Sequence, residues 1–292
     1  MVFLAGKVRP TSSGRALPLA ARLTMLKLIG VIHDSWIVEK WRTVAWQYAR
    51  HLRVPQTPPS ISIHIRPPFT RTSYRLILSE PSDSLRAVTM FSTTNPWGRL
   101  ALPDPAPTIV DLGANNGFSC LYWRVRFPEA SIYGIEMDPS NVELCRQLFK
   151  VNRLKGCFVQ QAVGAYDGSI TYRPHASHTR NRLTDLCDNS YEYGDETVEV
   201  SCQTLATVLP SLGISSVDLL KVDIEGAEQF LLDSIQEWTH LVQSMLLELH
   251  HNIDVKWARA RLEAAGFKIV SADEHERTEW YCVRPASRPC KV

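Results

Sequence analysis

The sequence has no Cys-x-x-Cys pair, no acid before Asp34, no long uncharged apolar run and no Gly-x-Gly-x-x-Gly. Each absence narrows the field. Seven cysteines (Cys120, Cys145, Cys157, Cys187, Cys202, Cys282 and Cys290) are odd in number and scattered. They read as mostly buried thiols in a reducing, cytoplasmic setting, and their spacing argues against a zinc site. The apolar stretch 17–32 contains Arg22 and Lys27, which makes it too short and too charged to span a bilayer. It reads as an amphipathic helix on the core or on a membrane surface, or as part of a basic, acid-poor transit peptide for an organelle. No charged, apolar, small order marks a secretory signal. The missing glycine triplet argues against a dinucleotide fold, because Asn115 stands where the second glycine would fall.

With 292 residues, 45% of them hydrophobic, the chain has material for a sizeable core, as one large domain or as a domain with an N-terminal addition. Its net charge of +2 hides an asymmetry. Residues 1–103 carry 14 Lys and Arg against four acids, whereas the remainder carries 18 against 26. The basic front is either a solvated surface that pairs with the acidic remainder or a docking surface for a nucleic acid or a membrane. Residues 1–100 read as a basic extension, helical then β-rich and partly packed on the core, and residues 101–292 as the main domain. Trp36, Trp41 and Trp46 fall five apart and read as packing anchors. Ile61, Ile63 and Ile65 alternate with polar residues as in a half-buried strand, and 74–78 is a second strand. Asn95-Pro96-Trp97 reads as a turn.

The main domain alternates strand and helix, which predicts a parallel sheet with helices on both faces. Strands are expected at 108–112, 131–136, 157–163 and 198–202, and helices at 116–127 and 204–212. Asp138 is the expected N-cap of a helix with Pro139 at its first position, and Val142, Cys145, Leu148, Phe149 and Asn152 share its inner face. A hairpin is expected around Asp167-Gly168. Residues 173–195 are polar and patternless, with His175, His178 and Arg180. Loops of that length often cover a substrate.

The first chemical centre is Thr108-Ile-Val-Asp-Leu-Gly-Ala-Asn-Asn-Gly-Phe-Ser119. A buried strand ends in Asp111, and Gly113 and Gly117 let the backbone pass close to a ligand at a helix start. A strand-end carboxylate in such a loop suits a ligand with an ammonium group, as on the methionyl part of S-adenosylmethionine. Glu136 ends the next strand 25 residues after Asp111, where an acid can take both ribose hydroxyls.

The second centre is Val217-Asp-Leu-Leu-Lys-Val-Asp-Ile-Glu-Gly-Ala-Glu228. Lys221 and Asp223 interrupt an apolar strand and share one of its sides. Gly226 permits a turn, and Glu225 and Glu228 share a face if a helix starts there. Ionisable groups at the carboxyl end of a parallel strand sit where ligands bind in this architecture.

These two runs, with Ile135-Glu136 before Pro139 and Leu246-Leu-Glu-Leu-His250, resemble the FkbM family of S-adenosylmethionine-dependent methyltransferases over about residues 70–285. The Lys-x-Asp-x-Glu-Gly-x-Glu run is the specific part. The resemblance implies an α/β class I methyltransferase fold, a Rossmann-like sheet of seven strands with the last antiparallel. Strands 267–272 and 278–284 would end it, after a helix over 255–265 capped by Gly266. It also implies that Asp111, Gly113, Asn115 and Gly117 hold the methionyl part, Glu136 the ribose, and Ala162 and Val163 border the adenine. Asp223 would lie near the sulfonium and the acceptor.

Family members methylate hydroxyl groups of sugars, polyketides or other small metabolites, so a hydroxylated small molecule is the expected acceptor. Methyl transfer from a sulfonium is an in-line displacement governed by positioning, and an alcohol must also lose its proton. His250, Asp223 and Glu225 are candidates for the base, with Lys221 tuning a carboxylate or the developing oxyanion. Alternatively Asp223, Glu225 and Glu248 would bind Mg²⁺ and lower the hydroxyl pKa. Two other readings remain at this level. One is a methyltransferase acting on nucleic acid or protein docked by the basic front. The other is a non-catalytic adenosylmethionine-binding scaffold.

Overall fold

The computed structural model describes Leu28 and residues 32–174, 182–183, 196–271 and 279–285. All of the expected amphipathic helix at 17–32 except Leu28 and Ile32, and nearly all of the loop 173–195, lie outside the described residues, as do Cys187 and Cys290. The front segment holds α1 (Lys40–His51), the antiparallel pair β1 (Ile61–Ile65) and β2 (Tyr74–Leu78), and α2 (Pro81–Met90). Then follow β3 (Thr108–Leu112), α3 (Phe118–Arg126), β4 (Ser131–Glu136), α4 (Pro139–Val151), β5 (Cys157–Gln160), β6 (Ala162–Val163), β7 (Gly168–Arg173), β8 (Arg182–Leu183) and β9 (Val198–Gln203). The chain continues through α5 (Leu205–Ser211), β10 (Leu219–Val222), α6 (Glu228–Asp233), α7 (Ile235–Trp238), β11 (Ser244–Glu248), α8 (Val255–Ala264), β12 (Lys268–Ser271) and β13 (Glu279–Val283).

Seven strands form one sheet in the order β12-β13-β11-β10-β3-β4-β5, and β13 is antiparallel to both its neighbours. This is the α/β class I methyltransferase sheet that the resemblance implies. Strand alternation sends side chains to two cores. Val110, Leu112, Leu220, Val222, Met245 and Leu247 pack under α5 to α8. Ile109, Ile132, Leu219 and Leu246 face α3, α4 and the front segment, which contributes Trp36, Ile63, Ile65, Leu76 and Phe91 to the same core. The front segment is thus continuous with one face of the sheet. A direct link fastens it there: Asn152 Oδ1 accepts the Arg75 N–H and its amide donates to the Arg75 carbonyl.

Three local expectations change. The strand expected over 157–163 is two strands. β5 pairs with β4 only as far as Glu136↔Gln160, and β6 joins a separate four-stranded sheet in the order β6-β9-β7-β8. The expected hairpin at Asp167-Gly168 is not one, because β6 and β7 both pair with β9, which lies between them. Trp36 and Trp46 are buried as expected, but Trp41 is exposed, with 62% of the residue open to solvent. Asp138 caps α4 through the amides of Ser140 and Asn141, with Pro139 at the first position, as read from the sequence.

Candidate active site

The carboxyl ends of β3, β4, β10 and β11 lie side by side, and the chain turns sharply after each. At the β3 exit Gly113 has φ +75° and presses against the β10 exit. A Cβ there would stand 1.7 Å from the carbonyl oxygen of Asp223. The amides of Gly113 and Ala114 donate to the Ile135 carbonyl, which joins the loop to β4. Asn115 is also left-handed, at φ 51°. Its amide donates to Glu136 Oε2 at 2.8 Å, and its Oδ1 accepts the Asn116 amide at 2.7 Å. Gly117, at φ 82°, opens α3.

Glu136 is nearly enclosed, and its Oε1 accepts the Asp138 amide at 2.9 Å. Burial lifts its carboxyl to about 7 against these amide bonds. Ala162 and Val163 follow closely, because the Gln161 amide donates to the Glu136 carbonyl; both are buried.

Asp111 and Lys221 are direct register partners on β3 and β10. Lys221 Nζ lies 3.1 Å from Asp111 Oδ1 and 3.5 Å from Asp223 Oδ2. Burial works against the Lys221 charge, but Asp111 and Asp223 outweigh it and hold the ammonium protonated. Asp111 itself is fully enclosed and also accepts from the Cys120 thiol.

The β10 exit differs from the helical expectation. α6 starts only at Glu228, and Glu225 and Gly226 turn the chain at φ 54° and 102°. Glu225 and Glu228 therefore do not stack along a helix; His250 joins them instead. It stands two residues beyond β11, with Nδ1 3.0 Å from Glu228 Oε1 and Nε2 3.5 Å from Glu225 Oε2 and 4.0 Å from Asp223 Oδ1. Glu228 is enclosed, and the same Oε1 accepts the amides of Ile224 and Gly226. Burial opposes the charged imidazole, but the Glu228 hydrogen bond and the charges of Glu228, Asp223 and Glu225 prevail and lift His250 to about 9.

Among the described residues, one ligand atom each from Asp223, Glu225 and His250 comes within 4.8 Å of the others. Glu248, which the sequence reading joined to Asp223 and Glu225 for Mg²⁺, is not in that group. It ends β11 opposite Glu279, and the Asp223 charge and burial raise its carboxyl to about 7. Glu279 in turn accepts from the Trp97 indole N–H.

Two contributors escape sequence reasoning. Asp83 and Arg86 of α2 reach the β3 loop, where Asp83 Oδ1 accepts from the Asn116 amide group at 3.0 Å and Arg86 Nη1 donates to Asn115 Oδ1 at 3.3 Å. Nothing local in 81–90 marks them.

The sequence model of the methyltransferase FkbM domain matches residues 111–269, more than half of the chain, and spans all four strand exits. The chain belongs to the FkbM methyltransferase family. It is accordingly an S-adenosylmethionine-dependent methyltransferase. Among its relatives, Methyltransferase sdnD of Sordaria araneosa is 30% identical over 206 residues, which cover 60% of this chain and 77% of that protein. The 31-O-demethyl-FK506 methyltransferase FkbM of Streptomyces tacrolimicus is 24% identical over 58% of this chain and 76% of its own length. The 2-O-methyltransferase NoeI of Sinorhizobium fredii is 24% identical over 44% of this chain and 56% of its own. The crystal structure of methyltransferase FkbM from Methylobacillus flagellatus shares 13% identity at a TM-score of 0.44, covering 90% of this chain and 58% of that one. Among the described residues no helix is long and apolar enough to cross a membrane.

Proposed function

We propose that this FkbM-family enzyme methylates a hydroxyl group of a small molecule or sugar. Gly113, Asn115 and Gly117 bind the methionyl part of S-adenosylmethionine, Glu136 binds its ribose, and Ala162 and Val163 border the adenine. Asp111 acts from behind the site: paired with Lys221, it fixes the β3 and β10 exits against each other. The names of two relatives, a 2-O-methyltransferase and a 31-O-demethyl-FK506 methyltransferase, support the hydroxyl as acceptor.

The observation that carries the reading is the cluster at the β10 and β11 exits, where His250 meets Asp223, Glu225 and Glu228 and Glu248 ends β11 with a carboxyl raised to about 7 by the Asp223 charge and by burial. A base works best when its pKa lies near the operating pH, and it contributes roughly 10²–10⁴-fold. His250 holds its proton through the three carboxylates around it. We therefore assign Glu248 as the base, with His250 as the cation that neutralises Asp223 and Glu225, and Lys221 as the donor that steadies Asp223. When bound, S-adenosylmethionine would supply the methyl group and keep the sulfur electron pair as S-adenosylhomocysteine, and Glu248 would take the proton of the acceptor hydroxyl. Mg²⁺ is not required in this scheme.

The test titrates the protein with S-adenosylmethionine and S-adenosylhomocysteine by calorimetry, then assays labelled methyl transfer to hydroxylated small molecules and sugars. Assays run with Mg²⁺, with chelator and with added RNA. The wild type should bind both cofactors and turn over one acceptor class in chelator, and Glu248→Gln should lower kcat roughly 10²–10⁴-fold with cofactor affinity unchanged. Full activity of Glu248→Gln would remove the base assignment, and transfer to RNA alone would replace the acceptor class.

A further inference from the structure

An amino-acid group is a zwitterion, so a site for the methionyl part of the cofactor has to answer a carboxylate as well as an ammonium. Cations are scarce around the β3 loop. Lys221 is enclosed between Asp111 and Asp223, and His250 between Asp223, Glu225 and Glu228. Among the described residues, a further cation that hydrogen-bonds the loop comes from the front segment. Arg86 Nη1 donates to Asn115 Oδ1, Nη2 donates to Ser82 Oγ at 3.3 Å, and Nη2 lies 3.7 Å from Asp83 Oδ1. These contacts leave part of the five-donor fork over. The Arg86 side chain is 30% exposed, whereas its anchor Asp83 is fully enclosed.

Asp83 makes the anchor rigid. Its Oδ2 accepts the amides of Ser79 and Glu80, and its Oδ1 accepts from Asn116 in the loop. Arg86 also lies within electrostatic reach of Asp223 and Glu225 across the cleft. It is therefore held beside the loop, within reach of the acid cluster, with part of its side chain open to solvent. A planar guanidinium matches a carboxylate with two parallel hydrogen bonds, which an ammonium cannot do.

We propose that Arg86 binds the α-carboxylate of the cofactor, so that the front segment completes the cofactor site. The proposal rests on the reading that the β3 loop holds the methionyl part, and the two fail differently. Calorimetry of wild type, Arg86→Met and Arg86→Lys would use S-adenosylhomocysteine and 5′-methylthioadenosine, which lacks the amino-acid group. Arg86→Met should bind S-adenosylhomocysteine at least tenfold more weakly and 5′-methylthioadenosine within twofold of wild type, with Arg86→Lys in between. Equal weakening of both ligands, or no weakening of either, overturns the proposal. A wild type that binds neither ligand overturns the cofactor-loop reading itself.

A second comparison does not need the variant to fold. Wild type should bind decarboxylated S-adenosylmethionine at least tenfold more weakly than S-adenosylmethionine. Equal affinities overturn the assignment of a carboxylate anchor. Where Arg86→Met folds, it should bind the two cofactors alike, because the cycle then contains no carboxylate partner.

Discussion

Gly113→Ala tests the junction on which the site depends. An alanine Cβ would stand 1.7 Å from the Asp223 carbonyl oxygen and 2.9 Å from its carbon. Carbon and oxygen tolerate approach to roughly 3.3–3.6 Å, so from 1.7 Å the β3 and β10 exits would have to part by about 1.6–1.9 Å. Two effects add. The left-handed conformation costs an alanine about 1–2 kcal/mol, and overpacking against backbone costs roughly 1–3 kcal/mol. The expected destabilisation is therefore about 2–5 kcal/mol. The shift also separates the β3 loop from Asp223, and a misplacement of about 1 Å lowers rates roughly 10²-fold. Gly213 is the internal control. It has φ +73° with no heavy atom within 4 Å of an added Cβ, so Gly213→Ala should cost only the conformational part, about 1–2 kcal/mol. Urea unfolding of both variants and titration with S-adenosylhomocysteine measure the difference. Equal stabilities, with Gly113→Ala binding as tightly as wild type, would refute the contact between the two exits.

Two further outcomes follow from the charges. Lys221→Met leaves fully enclosed Asp111 without its counter-ion and should destabilise the protein by about 3–5 kcal/mol; adding Asp111→Asn should recover part of that loss, and a single-variant loss under about 1 kcal/mol by urea unfolding would count against a buried ion pair. His250, raised from 6.5 to about 9, contributes stability that is complete below pH 6.5 and lost as pH rises through about 9. The contribution is at most about 3 kcal/mol. Wild-type melting temperature should fall across that window, and His250→Gln should flatten it; an unchanged slope would mean that another group carries it.

The parts legible in the sequence are those set by neighbours along the chain. β3 and β4 begin and end at the expected residues, and the Asp138-Pro139 start of α4 is as read, because apolar runs, caps and proline act within a few positions. The third strand shows where that logic stops. Gln160 and Gln161 interrupt the apolar run between Phe158 and Val163, but two polar residues also fit the outward positions of a continuous strand, so they do not by themselves fix a break at Gln161. The break comes from the partner: β4 ends at Glu136, and β6 finds its next ladder on β9. The turn after β10 is set in the same non-local way. Glu225 and Glu228 have helical spacing, but Gly113 packs closely on Asp223, and the chain leaves the strand through Glu225 and Gly226 at positive φ before α6 begins.

The geometry of the site is further from local reading still, because each of its charges is answered across the fold. Asp111 meets Lys221 only through strand register, Glu228 meets His250 only once β10 and β11 are adjacent, and Asn115 and Asn116 meet Arg86 and Asp83 only when α2 packs beside α3. The last case changes the meaning of the charge asymmetry. A count of bases over residues 1–103 treats the front as one basic surface, yet Arg86 lies beside Asp83 at the glycine loop and within electrostatic reach of Asp223 and Glu225. Its neighbours Val88 and Phe91 lie in the same core as Phe118 and Leu121 of α3. The apolar side of α2 thus sets the position from which Arg86 and Asp83 reach the glycine loop. Removing the front segment would therefore open that core and withdraw the loop's outer supports together. Cofactor affinity and folding stability should depend on the same helix, which a detachable docking module would not require.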